Sequence, residues 1–469
     1  METSFLSSRL AALRERWPVV VVFAVWCVLS CIAVRYHEPW RDEADAWLYA
    51  RDAPFSSFFQ GGRYGGTPML WYVVQVPFAR LGLPYGAQAW LHWGIAVVAC
   101  WVFLAHARLP LFVRAAFAFS FFGLFEYAVV ARSYSLTLLF LWVALACWPQ
   151  RRAAPWFFVS VALLAQTNIP GMIFAGALLF LAVVVQSPVP AGRFDRRALA
   201  GAAVFYLLAI AQVWPPNDGQ KEVKLSEDAL GIALRTGLFP FFEPAGRALL
   251  AGLALGVIAT VLVRHRAAAA LFGLVFVGFA LLFTFVHGGA LRHFGFYFVA
   301  AIAAAWLAAH QHPQGPAGAR VLAFVVGVAL LPWVAEGLEG IQHERNERFS
   351  NARAMGSYIR KNNPSNMISM HVDAVAVTPW LDKGKLYYPA VERGVSYMPW
   401  NTTQYRRRGI KGHDLAKRTE KRFPDDRSVL LLLNAPIDIP SKSWELLHAE
   451  AKPTWFRHGE KLYLYRRLP

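Results

Sequence analysis

From about residue 18 to residue 338 the chain alternates long apolar runs with short polar breaks, and then its character changes. A helix rises about 1.5 Å per residue, so about 17–25 apolar residues cross a hydrocarbon core of about 30 Å. On that length the pattern predicts membrane helices at 18–34, 87–105, 111–127, 133–149, 155–167, 171–186, 198–214, 247–263, 267–286, 296–310 and 320–338. The pair 155–167 and 171–186 is short in each half, and Asn168-Ile169-Pro170-Gly171 either turns a hairpin or kinks one long helix. The stretch 69–83 is apolar as well, but it is short and opens at Thr67-Pro68, which predicts an interfacial or re-entrant helix. Beyond 339 the pattern is that of a soluble domain. Residues 351–361 have helical spacing, with Ala354, Met355, Tyr358 and Ile359 on one side, while 366–372, 428–433 and 461–465 read as strands. The expectation is a polytopic α-helical membrane protein of about eleven spans, residues 1–338, followed by an α/β domain at 339–469.

Composition agrees: 57% of residues are hydrophobic and 16% charged, against about 25% charged in a soluble domain. The net charge of +18 would ordinarily point to nucleic acid. Here the excess sits in short loops such as Gln150-Arg151-Arg152, 193–197 and Arg264-His265-Arg266, the positive-inside pattern of a membrane protein, and nucleic acid is not an expected partner. Arg9, Arg14 and Arg16 put the N-terminus in the cytoplasm. The first apolar run follows these arginines as a signal peptide would, but no small-x-small cleavage site follows it, so a retained first helix is expected. Counting through the loops then puts one long segment, 35–86, and the C-terminal domain on the same outer face of the plasma (inner) membrane. This parity holds only if 69–83 does not span. Cys27, Cys31, Cys100 and Cys147 all fall in apolar runs, which leaves no disulfide framework or CxxC metal site.

The candidate chemistry lies just past the first span, in Tyr36-His37-Glu38-Pro39-Trp40-Arg41-Asp42-Glu43-Ala44-Asp45-Ala46-Trp47. Acids crowded against a membrane surface among arginines and aromatics can act as a general base, or hold a divalent cation against a phosphate. They are also what a solvated juxtamembrane loop contains. His371-Val372-Asp373 has no third ligand near it, and Arg406-Arg407-Arg408 reads as a patch facing solvent or lipid headgroups.

On these residues the chain resembles the C-type (GT-C) membrane glycosyltransferases, in particular the bacterial branch related to protein mannosyltransferases and lipid A aminoarabinose transferases. In that class a first helix runs into a long external loop bearing an Asp-Glu pair followed by Ala, matched here by Asp42-Glu43-Ala44. Gly65-Gly66-Thr67-Pro68-Met69-Leu70-Trp71-Tyr72 matches a later step ahead of a short aromatic helix, although Thr67 stands where many relatives have histidine. An Arg-x-Tyr step opening a helix is matched by Arg132-Ser133-Tyr134, with Glu126 six residues before it.

The resemblance implies an inverting glycosyl transfer from a polyprenyl-phosphate sugar donor to a lipid, glycan or protein acceptor. Asp42 would be the base or acceptor-orienting carboxylate, and Glu43 a supporting or metal-binding group. Glu126, Arg132 and Tyr134 would line the substrate site. The donor's phosphate needs cationic groups at the interface. The glycine-containing loop His287-Gly288-Gly289-Ala290-Leu291-Arg292-His293-Phe294-Gly295 offers Arg292 and His293, with Lys221, Lys224 and Arg235 as further candidates. The competing readings are a transporter or flippase of lipid-linked saccharides, which would carry charged or broken helices near midplane, and a structural membrane protein. Membrane lipids are expected neighbours in all three.

Overall fold

The computed structural model describes residues 2–150, 155–185, 193–214, 265–286, 289–311, 317–363, 365–392, 394, 396–397, 410–437, 443–455 and 460–468. The expected span 247–263, the loop 215–246 with Lys221, Lys224 and Arg235, and the run Arg406-Arg407-Arg408 lie outside the described residues.

Helices dominate. The N-terminal part contains α1 (Glu2–Tyr36), α2 (Arg41–Asp52), α3 (Phe55–Gly65), α4 (Leu70–Arg80), α5 (Ala87–His106) and α6 (Leu111–Phe119). After them come α7 (Tyr134–Cys147), α8 (Pro155–Ala165), α9 (Ile169–Val184) and α10 (Arg193–Val213). The series continues with α11 (Arg266–Leu281), α12 (Leu291–Gln311) and α13 (Ala317–Asn346). Among the described residues six helices are long and apolar enough to cross a membrane: α1, α5, α10, α11, α12 and α13; α7, α8 and α9 are shorter apolar helices. Side chains such as Leu207, Val277 and Phe324 are more than half exposed. So large an apolar surface is costly in water and is at home against lipid tails.

The helices surround α12. In its apolar window 83% of residues are buried, against 17% to 39% in the other five. Its ring Trp306 packs with Phe103 of α5 and Trp142 of α7, the latter two stacked at 4.9 Å. Whatever stands on the first turn of α12 therefore stands at the centre of the bundle.

Two expectations are corrected. The run 111–127 is not one helix: α6 stops at Phe119, and a π-helical turn, Phe121–Glu126, follows. Ser120 causes the break. Its Oγ donates to the Phe117 carbonyl at 2.7 Å and accepts the Gly123 N–H at 3.2 Å, so the hydroxyl competes with the helical ladder. A Cβ on Gly123 would stand 2.1 Å from the Phe117 carbonyl oxygen, so the tight turn requires glycine. Second, the last helix does not end at 338; α13 runs on to Asn346 and carries Glu344 back over the first loop. At 155–186 there are two helices, with Asn168 capping α9 through a 2.8 Å bond from the Gly171 N–H to its Oδ1. The stretch 69–83, expected to be interfacial or re-entrant, contains α4, whose eleven residues reach about 16 Å, too short to span.

The C-terminal part is a five-stranded mixed sheet in the order β2-β1-β3-β5-β4. Its strands are β1 (Ile368–Met370), β2 (Leu386–Tyr387), β3 (Leu430–Leu433), β4 (Trp444–Glu450) and β5 (Leu462–Arg467). β1 pairs in parallel with β2 and β3, while β5 lies antiparallel between β3 and β4. The helices α14 (Ala352–Asn362) and α15 (Gly412–Arg422) and the 3₁₀ segment Val372–Trp380 complete it. Its apolar core includes Leu48 of α2, fully buried among Met355, Met370, Val375 and Leu432. The loop helix is thus built into the C-terminal core, and the two parts meet at α2.

Candidate functional site

The Asp-Glu pair divides its labour. Asp42 and Glu43 stand in the first turn of α2, where the unpaired N–H groups of a helix favour negative charge. Glu43 faces inward and is fully buried. Its carboxylate accepts the Trp40 N–H at 3.1 Å, the Ala131 N–H at 2.7 Å and His37 Nε2 at 3.0 Å. Gln88 on α5 holds the Glu43 carbonyl at 3.0 Å and Gln75 on α4 at 2.7 Å, which ties the loop helix to the bundle. Glu43 therefore positions its neighbours and is not placed to meet a ligand or a metal ion.

His37 lies between two glutamates. Nε2 donates to Glu43, and Nδ1 donates to Glu344 Oε1 at 3.2 Å, with all three side chains shut off from solvent. Burial alone would lower the imidazole's pKa, but the two carboxylates outweigh it and push it up to about 10. An imidazolium thus links the end of α1, the start of α2 and the end of α13. Beyond it a cleft of about 550 Å³ opens between the ends of α1 and α13, lined by Glu38, Glu344, Arg345, Arg348 and Lys452.

Asp42 faces the other way, with its side chain 20% exposed. Arg132 Nη1 donates to its Oδ2, and Arg292 Nη2 lies 3.7 Å from the same oxygen. Arg41 Nε donates to Oδ1 at 3.3 Å, while Arg41 Nη1 reaches Asp373 of the C-terminal part at 3.2 Å. Burial would raise the Asp42 carboxyl's pKa, but Arg132, Arg41 and Arg292 overcome that and hold it well below the usual carboxylate range. The adjacent acids of α2 so grip adjacent residues of one distant segment: Glu43 the backbone of Ala131, Asp42 the side chain of Arg132.

Each arginine is set by its surroundings. Arg132 precedes α7, next to Ser133, whose hydroxyl accepts Asn168 Nδ2 at 3.0 Å, and its guanidinium lies 5.8 Å from the centre of the Tyr134 ring. Arg292 is not in a loop, as its glycine-containing context predicts, but in the first turn of the central helix α12. It lies 5.8 Å from the centre of the Trp40 ring, and its carbonyl accepts the Tyr127 hydroxyl at 2.7 Å. Gly295 permits that contact, because a Cβ there would stand 2.5 Å from the Tyr127 oxygen and 2.3 Å from Phe122. That glycine serves helix packing and not ligand approach. Arg292 Nε is buried and has no hydrogen-bond partner.

The expected residues thus sort by position. Asp42, Arg132 and Arg292 converge; Tyr134 is buried beside them, with His293 edge-on at 6.3 Å. Glu126 is fully buried at the end of the π-helical turn, which places it in the interior and not at a substrate surface. No group of three or more metal-ligating side chains occurs among the described residues. The donor set at Asp42 is cationic, which does not fit the divalent cation that the acids alone suggested. Gln88 and Glu344 were not singled out by their sequence context, and Asp373 was considered only as a metal ligand. Gln88 carried one signal, an amide in the first turn of an apolar run.

No family model, no curated protein and no solved structure matches this chain. Its chemistry is read from the geometry: one partly open carboxylate beside two guanidiniums that come from separate segments, at the ends of apolar helices.

Proposed function

We propose that this chain is a membrane glycosyltransferase of the C type, moving a sugar from a polyprenyl-phosphate donor to a lipid, glycan or protein acceptor. The observation that carries the reading is the convergence of Arg132 and Arg292 on Asp42 where apolar helices end. In the reaction the acceptor oxygen or nitrogen attacks the anomeric carbon, with inversion. The bond from that carbon to the phosphate oxygen breaks, Asp42 takes the acceptor's proton, and polyprenyl phosphate departs. Its phosphate gains one negative charge as the bond breaks, so two guanidiniums aimed at it bind the transition state more strongly than the ground state.

The site and the C-terminal domain are assigned to the outer face of the plasma membrane, with about eleven spans. Contacts between helix ends support this alternation. Residues assigned to one face meet each other, as in Asn168 with Ser133 and the Met69 N–H with Gln212 at 2.8 Å. Residues assigned to the other face do likewise, as in His310 with the Leu145 carbonyl and Arg114 with the Leu104 carbonyl.

The test is transfer by the purified protein from a panel of polyprenyl-phosphate sugars to a crude envelope acceptor fraction. Sugar release that requires both the donor and Arg132 is expected. Turnover of none of the donors, by protein that unfolds cooperatively on heating, would overturn the reading.

A further inference from the structure

We propose that the donor's phosphate and Asp42 compete for the same two guanidiniums, so that binding the donor is what frees the base. This rests on the transferase reading of the site and adds to it an order of events.

The two oxygens of Asp42 are held differently. Oδ2 takes both the Arg132 bond and the approach of Arg292, the arginines that a phosphate would meet. Oδ1 takes only Arg41, whose other arm is fixed on Asp373. The guanidiniums already engaged with Oδ2 are the obvious partners for an incoming phosphate, because their planar fork of donors pairs with its two unesterified oxygens as it does with a carboxylate. Arg292 also has its buried Nε to offer, a donor the present arrangement leaves without a hydrogen bond. Three guanidiniums face Asp42 and Asp373, so these pairs leave one positive charge in excess. Of the nearby groups, Glu43 is committed to His37 and the Tyr72 hydroxyl is neutral.

With the donor absent, Oδ2 is tied up and the carboxylate is a poor proton acceptor. When phosphate takes Arg132 and Arg292, Oδ2 loses both cations while Arg41 and Asp373 keep the side chain where it was. The carboxylate is then a stronger base beside the leaving group. Donor binding precedes productive acceptor binding, and no active base faces the solvent in its absence.

The competition has a counterintuitive consequence: removing the Asp42 charge should tighten donor binding while it removes transfer. The experiment measures equilibrium binding of a polyprenyl monophosphate, and separately of inorganic phosphate, to the full chain in detergent. Wild type, Asp42→Asn and Asp42→Ala are compared, with thermal unfolding as the check on folding. Both variants should bind the polyprenyl phosphate about three- to tenfold more tightly, the size of a partly exposed charged contact removed. Adding Arg132→Gln to Asp42→Asn should abolish the gain. Tightening for the polyprenyl phosphate and not for inorganic phosphate assigns the site to a lipid-borne phosphate, whereas equal tightening assigns it to the phosphate group alone; either supports competition. Unchanged or weaker binding in both Asp42 variants overturns the competition and leaves the transferase reading standing. A folded wild type that binds neither phosphate overturns both.

Discussion

Glu344, near the end of α13, meets His37, the first residue past α1, at 3.2 Å and out of reach of solvent. The pair closes the bundle's first and last long apolar helices onto each other, and through Glu43 it fixes the start of α2. Glu344→Gln leaves His37 paired with Glu43 but replaces the charged acceptor at Nδ1 with a neutral one, and a hydrogen bond to a charged group contributes about 1.5–3 kcal/mol. Glu344→Gln should therefore lower the thermal midpoint well beyond what an exposed glutamate change such as Glu445→Gln does, as read by unfolding in detergent. Equal midpoints for the two variants would assign the pair no stabilising role.

The same contact sets an alkaline limit. The folded-state pKa of His37 is raised, from 6.5 to about 10. The stability it contributes is fully present below the unfolded value and is lost as pH rises through the folded one. The thermal midpoint should fall between about pH 6.5 and pH 10, and His37→Asn should flatten that limb while lowering the plateau beneath it. Midpoints of wild type and variant across that range provide the measurement. An equally steep limb in the variant would place the titration elsewhere.

Asp42→Asn should reduce transfer by about 10²–10⁴-fold, the usual contribution of a general base, and should also cost stability, because Arg132, Arg41 and Arg292 lose the carboxylate they share. The rate at saturating donor and acceptor is the readout. A loss smaller than about tenfold would give Asp42 a positioning role only.

Arg292→Lys keeps the charge but loses the planar fork that can hold a phosphate through two bonds. The donor KM should rise by about five- to tenfold, more in Arg292→Ala, while acceptor dependence changes much less. If lysine substitutes freely, the residue only anchors headgroups.

Single cysteines placed in 36–66 or 345–460 of a variant lacking Cys27, Cys31, Cys100 and Cys147 should react with an impermeant maleimide in intact cells. Those at 150–152 and 264–266 should react only after permeabilisation. Labelling of 345–460 only after permeabilisation would reverse the proposed sidedness.

The sequence made the helices legible because apolar length is a local quantity: 87–105 against α5 and 267–286 against α11 and the turn after it differ by a residue or so. It also singled out Asp42 and Arg132 by their short motifs. The break at Ser120 was hidden because hydropathy cannot register one hydroxyl competing with the ladder. Arg292 read as loop because glycine and polar residues surround it, whereas Gly295 is glycine for a neighbour's sake, to admit Tyr127. Glu344 could not be found at all, and Asp373 was noticed only as a metal ligand, not as a partner of Arg41. Each is one acid among several, and what distinguishes it is a partner hundreds of positions away.

Leu48 belongs to the same core as Leu432 and Leu464, which are made hundreds of residues after it. Synthesis proceeds from the N-terminus, so α2 emerges early and must wait, its apolar side uncovered, until β3 and β5 have followed it. A ribosome that stalls anywhere within α15 or the strand after it leaves a product that can be anchored in lipid yet lacks the strands that cover Leu48. What the cell must guard in such a product is the bare face of one twelve-residue helix.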